Sequence, residues 1–327
     1  MADDLLPTDP ESVGSYRLIR RLGSGGMGQV YLARSPGGRL VAVKVIRSDL
    51  AVDHGFRARF AREVAAARTV SGVFTAPVID ADPEGPQPWL ATAYVPGPSL
   101  ADAVAERGPL PVGVVLTLGA GLAEGLQAIH AAGLVHRDLK PSNVLLADDG
   151  PRVIDFGISR AADASVLTQS GTILGSPGFL SPEQAEGRQV GMPSDVFSLG
   201  AVLAFAATGE GPFGGGTAPM LVYRVVNGAP NLSAVPGQVR ALIEQCLAKN
   251  PADRPTASQL LASLAAAHRM PEWLPPSQLA GPPETLAVSP VTPIGGPVMP
   301  PSGPVMPPSG PLMPHSGFGT PVGTGTP

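Results

Sequence analysis

His136-Arg137-Asp138-Leu139-Lys140-Pro141-Ser142-Asn143, with Asp155-Phe156-Gly157 beginning twelve positions after Asn143, is the stretch on which the reading of this chain turns. An aspartate, a lysine two residues on and an asparagine five residues on are three different tools. The Asp138 carboxylate orients a hydroxyl or accepts its proton, the Lys140 ammonium neutralises phosphoryl charge, and the Asn143 amide oxygen binds a metal. The apolar run Val144-Leu145-Leu146 anchors this loop in a core. A second apolar strand, Arg152-Val153-Ile154, delivers Asp155 as a further metal ligand. Hard oxygen donors of this kind suit Mg²⁺, with Mn²⁺ as the other candidate. An Asp-Phe-Gly triplet alone is a coincidence in many proteins. At this distance from the first motif it reads as half of one site.

Toward the N-terminus, residues 16–22, 29–34 and 40–46 read as three strands, the second turn being Ser35-Pro36-Gly37-Gly38. The first turn, Gly23-Ser24-Gly25-Gly26-Met27-Gly28, matches G-x-G-x-x-G, whose glycines let backbone amides approach phosphate oxygens without Cβ interference. It joins two strands rather than opening a helix, so it reads as a flap over a nucleotide and not as a dinucleotide fingerprint. Val41-Ala42-Val43-Lys44 ends an apolar strand on a lysine. Phe56, Phe60, Val64 and Ala67 then recur at helical spacing, with Glu63 on or beside the stripe. Two readings stay open for this pair. Either a buried ammonium is neutralised by Glu63, or a surface lysine on an edge strand is unrelated to a glutamate on the rim.

Two more strands are expected over residues 76–79 and 89–94, and from there the pattern turns helical. Val115, Leu118, Leu122, Leu126 and Ile129 form one stripe, ended by Gly133 as a C-cap. Residues 194–208 are apolar nearly all round, as in a helix buried inside a larger body, and Gly209 closes it. A strand-rich first part and a helix-rich second part imply an α+β molecule of two lobes with a crevice between them.

Composition narrows the function. The 327 residues carry a formal net charge of −4, which argues against a nucleic-acid binder. The single cysteine, Cys246, excludes a disulfide framework or a cysteine-rich metal site, and within a helix expected over residues 239–249 it reads as packing. The acidic start does not look like a signal peptide, and the most apolar stretch, residues 196–207, is shorter than the roughly 20 residues needed to span a bilayer. A cytoplasmic protein without a membrane span is therefore expected. Only three of the 22 basic side chains are lysines, at positions 44, 140 and 249. Lysine kept at 44 and 140 fits sites that need a compact ammonium, because the wide planar fork of arginine has a different reach. After about residue 268 proline and glycine dominate, and a seven-residue unit recurs at residues 296–302, 303–309 and 310–316. Its prolines rule out a helix, so a disordered or polyproline-II-like spacer is expected, with Pro297-x-x-Pro300 also of the form that proline-recognising modules bind.

Taken together, these motifs resemble the eukaryotic-like (Hanks-type) serine/threonine protein kinases of bacteria, and look closest to actinomycete, streptomycete-like members. The resemblance covers about residues 16–268, and it implies a bilobal protein-kinase fold. The implied N-lobe is about 16–95 and the C-lobe about 96–268, preceded by an extension (1–15) and followed by the tail (269–327). It implies transfer of the ATP γ-phosphate to protein hydroxyls, with Gly23, Ser24, Gly25, Gly26, Met27 and Gly28 over the phosphates and Leu22 also in contact with the nucleotide. Lys44 would pair the phosphates with Glu63, Asp138 would be the base with Lys140 beside it, and Asn143 and Asp155 would hold Mg²⁺. For adenine it implies Thr92 as gatekeeper, backbone groups of Ala93 and Val95 at the base edge, and Val30, Ala42 and Leu145 against the ring. Ser181-Pro182-Glu183 stands where relatives have Ala-Pro-Glu, a change expected to be harmless. Glu183 would pair with Arg254, and Asp195 would hold the backbone of the 136–143 loop. Arg137 before Asp138 implies a switch: phosphorylation of Thr168, Ser170 or Thr172, through a transient homodimer, with the phosphate paired to Arg137 and Arg160. Retention of Lys44, Asp138 and Asp155 argues against a catalytically dead scaffold. The long segment before Ser-Pro-Glu argues against a small-molecule phosphotransferase.

Overall fold

Along residues 40–46 Val41, Val43 and Val45 are buried on one face while Ala42 and Lys44 are half-buried on the other, the period of two that a strand between two layers requires. A computed structural model, which describes residues 3–156, 177–267 and 273, places this strand in the middle of a six-stranded antiparallel sheet. In chain order the strands are β1 (Ser12–Val13), β2 (Tyr16–Gly25), β3 (Gly28–Arg34), β4 (Leu40–Ile46), β5 (Val78–Asp82) and β6 (Trp89–Ala93). Their spatial order is β1-β2-β3-β4-β6-β5. One face carries a small core of its own, in which the rings of Tyr16 and Trp89 meet edge to face at 5.6 Å. Between β4 and β5 lie α1 (Ser48–Ala51) and α2 (His54–Ala67). Asp53 caps α2 by accepting from the Phe56 N–H at 2.8 Å, and the four residues of the expected stripe are its buried ones.

Two details of this lobe add to the sequence reading. Residues of the N-terminal extension before 16 join the sheet. β1 pairs with β2, Asp3 exchanges backbone bonds with Arg21, and Asp9 accepts from Arg21 (2.6 and 2.7 Å) and from the Tyr31 hydroxyl (2.8 Å). The Arg21 guanidinium holds the Asp9 carboxyl far below the usual carboxylate range. The strand expected at 76 begins at Val78, because Thr75 bridges Val153 and the Ala76 N–H is donated to the Val153 carbonyl at 3.1 Å. These two residues stitch one lobe to the other.

The second lobe comprises α3 (Leu100–Arg107), α4 (Val112–Ala131), the hairpin β7 (Val144–Ala147) and β8 (Gly150–Val153), then α5 (Pro182–Ala185), α6 (Met192–Thr208), α7 (Ala218–Asn227), α8 (Gly237–Cys246) and α9 (Ala257–Ala267). By length and composition α4 could cross a membrane, which the sequence reading expected of no stretch. Here Leu118, Leu122, Leu126 and Ile129 are fully buried, and α4 packs against α6, α9 and β8. It is the central helix of the lobe. Gly133 (φ 74°) and Gly209 (φ 79°) take the left-handed conformation that ends α4 and α6. A Cβ on Gly200 of α6 would stand 2.6 Å from that of Cys246, so glycine lets α8 close on α6. Burial pushes the Cys246 thiol up to about 12, consistent with packing and not reactivity.

The third lysine also has a structural place. Lys249 Nζ stands 4.5 Å from the centre of the Phe213 ring, which stacks on Phe197, and donates to the Val225 carbonyl. Burial, and then the charge of Arg254, lower its amine to about 8. Beyond α9, Trp273 packs on the main core and its indole N–H is donated to the Ala147 carbonyl at 2.9 Å. The repeats at 296–316 and the candidate phosphorylation sites Thr168, Ser170 and Thr172 lie outside the described residues.

Candidate active site

Asp138 sits on the loop between α4 and β7, and its surroundings are built from short-range bonds. Lys140 Nζ is 2.9 Å from Asp138 Oδ2, and Asn143 Nδ2 donates to the Asp138 carbonyl (2.8 Å) and to Oδ2 (3.1 Å). Both acceptors fix the Asn143 amide with its nitrogen toward Asp138, so its oxygen is the end offered to a cation. The Ile154 N–H is donated to the Asn143 carbonyl at 3.1 Å, which ties Asp155 to the same loop. Among the described residues no cluster of three or more His, Cys, Asp or Glu side chains could hold a metal by itself. Asn143 and Asp155 are a donor set of the kind Mg²⁺ accepts when phosphate oxygens and water complete its shell.

Two described non-glycine residues have positive φ, Arg137 (67°) and Asp155 (58°), and both flank or form the acidic pair. Each such conformation costs about 1–3 kcal/mol and persists only where the surroundings over-determine it. For Arg137 those surroundings are visible. Asp195, buried at the start of α6, accepts from the Arg137 N–H and the His136 N–H, both at 2.8 Å, and is 2.7 Å from His130 Nε2. On the other side Gln184 Nε2 donates to the Arg137 carbonyl at 2.7 Å.

Lys44 reaches the site from β4, but its partner differs from expectation. Its Nζ is 3.1 Å from Asp155 Oδ2, while Glu63 of α2 is paired with Arg137 at 3.6 Å. The expected Lys44–Glu63 ion pair is thus replaced by crossed partners. An ammonium and a carboxylate in this half-buried cleft each need a counter-ion. Sequence position alone does not say which cation meets which acid.

The glycine-rich stretch forms the tip of the β2–β3 hairpin, with Gly25 opposite Gly28 and Gly23 opposite Val30. Its glycines are not equivalent. A Cβ on Gly23 or Gly25 would meet nothing within 4 Å, whereas one on Gly28 would lie 1.8 Å from the Val45 carbonyl oxygen. Gly28 is therefore required by the closeness of β3 to β4. Gly28→Ala is expected to cost about 1–3 kcal/mol in thermal unfolding, as overpacking does, while Gly25→Ala leaves stability unchanged.

Behind the hairpin, Leu22, Val30, Ala42, Thr92 and Leu145 are all half-buried, with Ala42 and Thr92 opposite each other on β4 and β6. The Ala93 N–H is donated to the Pro77 carbonyl at 3.0 Å, so the carbonyl is the backbone group through which Ala93 would meet a base. Gly97 (φ 136°) lets the chain close on β7, since a Cβ there would be 2.2 Å from the Leu146 carbonyl oxygen. The Leu146 N–H donates to the Pro98 carbonyl at 2.9 Å, which sets Leu145 below the cleft. Residues 16–264 match the family model described as the protein kinase domain. The chain belongs to the protein kinase family. It is 57% identical over 276 residues to PkwA of Thermomonospora curvata, a match covering 84% of this chain and 37% of that protein. It is 53% identical over 266 residues to the serine/threonine-protein kinase AfsK of Streptomyces coelicolor, covering 81% and 33%. The chain thus spans about a third of the length of these relatives. The crystal structure of the Mycobacterium tuberculosis PknI kinase domain superposes with a TM-score of 0.63 at 28% identity, covering 78% of this chain and 97% of that one.

Within this kinase domain the Ser-Pro-Glu segment is an anchor. Glu183 accepts two bonds from Arg254, at 2.7 and 2.8 Å, and a third from the Ser194 hydroxyl at 2.6 Å. Burial alone would raise the Glu183 carboxyl, but the bonds from Arg254 and Ser194 outweigh it and hold it below its ordinary value. Ser181, where a harmless substitution was expected, has a task of its own: it caps α5 in a reciprocal box with Gln184. No periodicity or motif in the sequence singles out Gln184, His130 or Ser194. The only signal is a polar residue beside a motif, or on an otherwise apolar helix.

Proposed function

We propose that this chain is a serine/threonine protein kinase that transfers the γ-phosphoryl group of ATP to hydroxyls of other proteins in signal transduction. The observation that carries the reading is one connected set of bonds: Lys140 and Asn143 on Asp138, Asn143 to Ile154, and Asp155 on Lys44, beneath the glycine-rich hairpin. Asp138 orients the attacking hydroxyl and takes its proton, and Lys140 offsets charge on the transferring group. Lys44 holds the α/β-phosphates. Val30, Ala42 and Leu145 enclose the adenine, with Thr92, Ala93 and Val95 at its edge. Asn143 and Asp155 would hold Mg²⁺, which would neutralise phosphate charge. We place the reaction in the cytoplasm, where ATP is supplied. The deciding experiment offers [γ-³²P]ATP and Mg²⁺ to the chain, alone and with a generic basic protein. Label is expected on both, and is abolished by a chelator. Absence of label with intact, folded protein overturns the reading.

Regulation follows from the crossed ion pairs. Arg137 stands 3.6 Å from the Glu63 carboxylate, and a phosphate of about −1.5 to −2 charges on Thr168, Ser170 or Thr172 would compete for it. Drawing Arg137 away releases Glu63 to pair with Lys44, as nucleotide positioning in this family requires. Phosphate delivered through a transient homodimer would make the domain self-activating. After incubation with Mg·ATP, phosphopeptide mapping is expected to find these positions modified, and phosphatase treatment to lower the transfer rate by at least ten-fold. An active kinase with an unmodified loop would sink this switch. The proline-rich repeats are proposed as a spacer that can also dock a proline-recognising module.

A further inference from the structure

Gln184 is buried between two parts of the molecule that the transfer needs in register. Its Oε1 accepts from the Ser181 N–H at 3.0 Å and from the Ser181 hydroxyl at 3.2 Å, and its Nε2 donates to the Arg137 carbonyl at 2.7 Å. A backbone N–H can only donate, so the oxygen end of the amide is fixed at Ser181 and the nitrogen must face Arg137. The Arg137 N–H is held meanwhile by Asp195 at 2.8 Å. Both backbone polar groups of the left-handed residue just before Asp138 are therefore held by side chains of two separate elements, α5 and α6. The carbonyl that Gln184 grips belongs to the same rigid peptide plane as the Asp138 N–H, which faces His136 Nδ1 at 3.3 Å.

We propose that Gln184 is a positioning residue for phosphoryl transfer: by fixing the Arg137–Asp138 peptide plane it sets the direction in which Asp138 presents its carboxylate. This rests on Asp138 being the base. Gln184 adjoins Glu183, whose ion pair with Arg254 anchors α5 to the lobe, so the end of the Ser-Pro-Glu segment and the direction of the base are joined by one side chain. Without the bond, the peptide plane is free to tilt, and a displacement of about 1 Å at a reacting group costs up to roughly 10²-fold in rate.

The test compares Gln184→Leu, Gln184→Glu and Asp138→Asn in the full chain, measuring kcat, KM for ATP, KM for a peptide substrate and thermal unfolding. Gln184→Glu keeps the shape and the acceptor at Ser181 but puts an oxygen against the Arg137 carbonyl. Both Gln184 variants are expected to lower kcat about ten-fold while both KM values stay within about two-fold and the protein remains folded. Where Gln184→Leu fails to fold, Gln184→Glu decides. A kcat within about two-fold of wild type, a change confined to KM, or a rate falling only in proportion to the unfolded fraction overturns the proposal. Full transfer by Asp138→Asn would instead overturn the reading of the base. An inactive Asp138→Asn beside fully active Gln184 variants removes this proposal alone.

Discussion

Asp138→Asn is expected to slow phosphoryl transfer by roughly 10²–10⁴-fold, the usual contribution of a positioned general base, with KM for ATP within about two-fold. Asparagine matches the size of the aspartate, so the loop loses little packing. Its amide cannot accept the proton of an incoming hydroxyl. It also leaves the Lys140 ammonium, now 2.9 Å from Oδ2, without a counter-charge. The nucleotide is expected to meet Lys44 and the glycine-rich hairpin, neither of which the substitution touches, so affinity for ATP is kept while the chemical step is lost. Steady-state transfer to a peptide, with nucleotide binding measured in parallel, separates the two. Transfer at the wild-type rate would remove Asp138 from the role of base.

Glu183→Ala is expected to give the largest loss of stability. Arg254 is buried with Glu183, and removing the acid strands a guanidinium in the interior. Breaking one side of a buried pair costs about 3–5 kcal/mol, which for a domain of this size lowers the midpoint of thermal unfolding by roughly 6–20 °C. The same pair sets an acid limb. The folded Glu183 carboxyl is held below its ordinary value, so the unfolded chain binds the proton more readily. The stabilisation is fully present above the unfolded carboxyl value of about 4.3 and is lost as pH falls through the lower folded value. Unfolding midpoints followed from pH 7 down to pH 3 are expected to fall less steeply for Glu183→Gln than for wild type. Parallel curves would show that the pair contributes nothing to acid sensitivity.

What was legible in the sequence was whatever chain neighbours decide among themselves. β4 falls over residues 40–46 as expected, because its alternation is a local pattern, and α2 buries the four residues that its spacing selects. The grouping of Asp138, Lys140 and Asn143 was legible for the same reason, since five residues of a tight loop keep them together, although the bonds from Asn143 to Asp138 were not foreseen. Partner choice across the cleft was not. That Lys44 meets Asp155 and Glu63 meets Arg137 depends on how α2 approaches the 136–143 loop and on the left-handed backbone at Arg137 and Asp155, none of which leaves a mark in residue types. Gln184 escaped for a related reason, since its value lies in a carbonyl 47 positions away. Gly28 was legible as a glycine of the motif, but the closeness of β4, which by itself excludes a side chain there, was not.

The chain has two tryptophans, and the fold deals one to each half of the molecule. Trp89 lies in the sheet against Tyr16, and the Trp273 indole N–H is donated to the carbonyl of Ala147, the last residue of β7. Intrinsic fluorescence is thereby divided into two channels by nature: Trp89→Phe leaves an emitter that senses only the seating of the Trp273 ring against β7, and Trp273→Phe leaves one that senses only the sheet. Each lobe can be followed optically without attaching a dye.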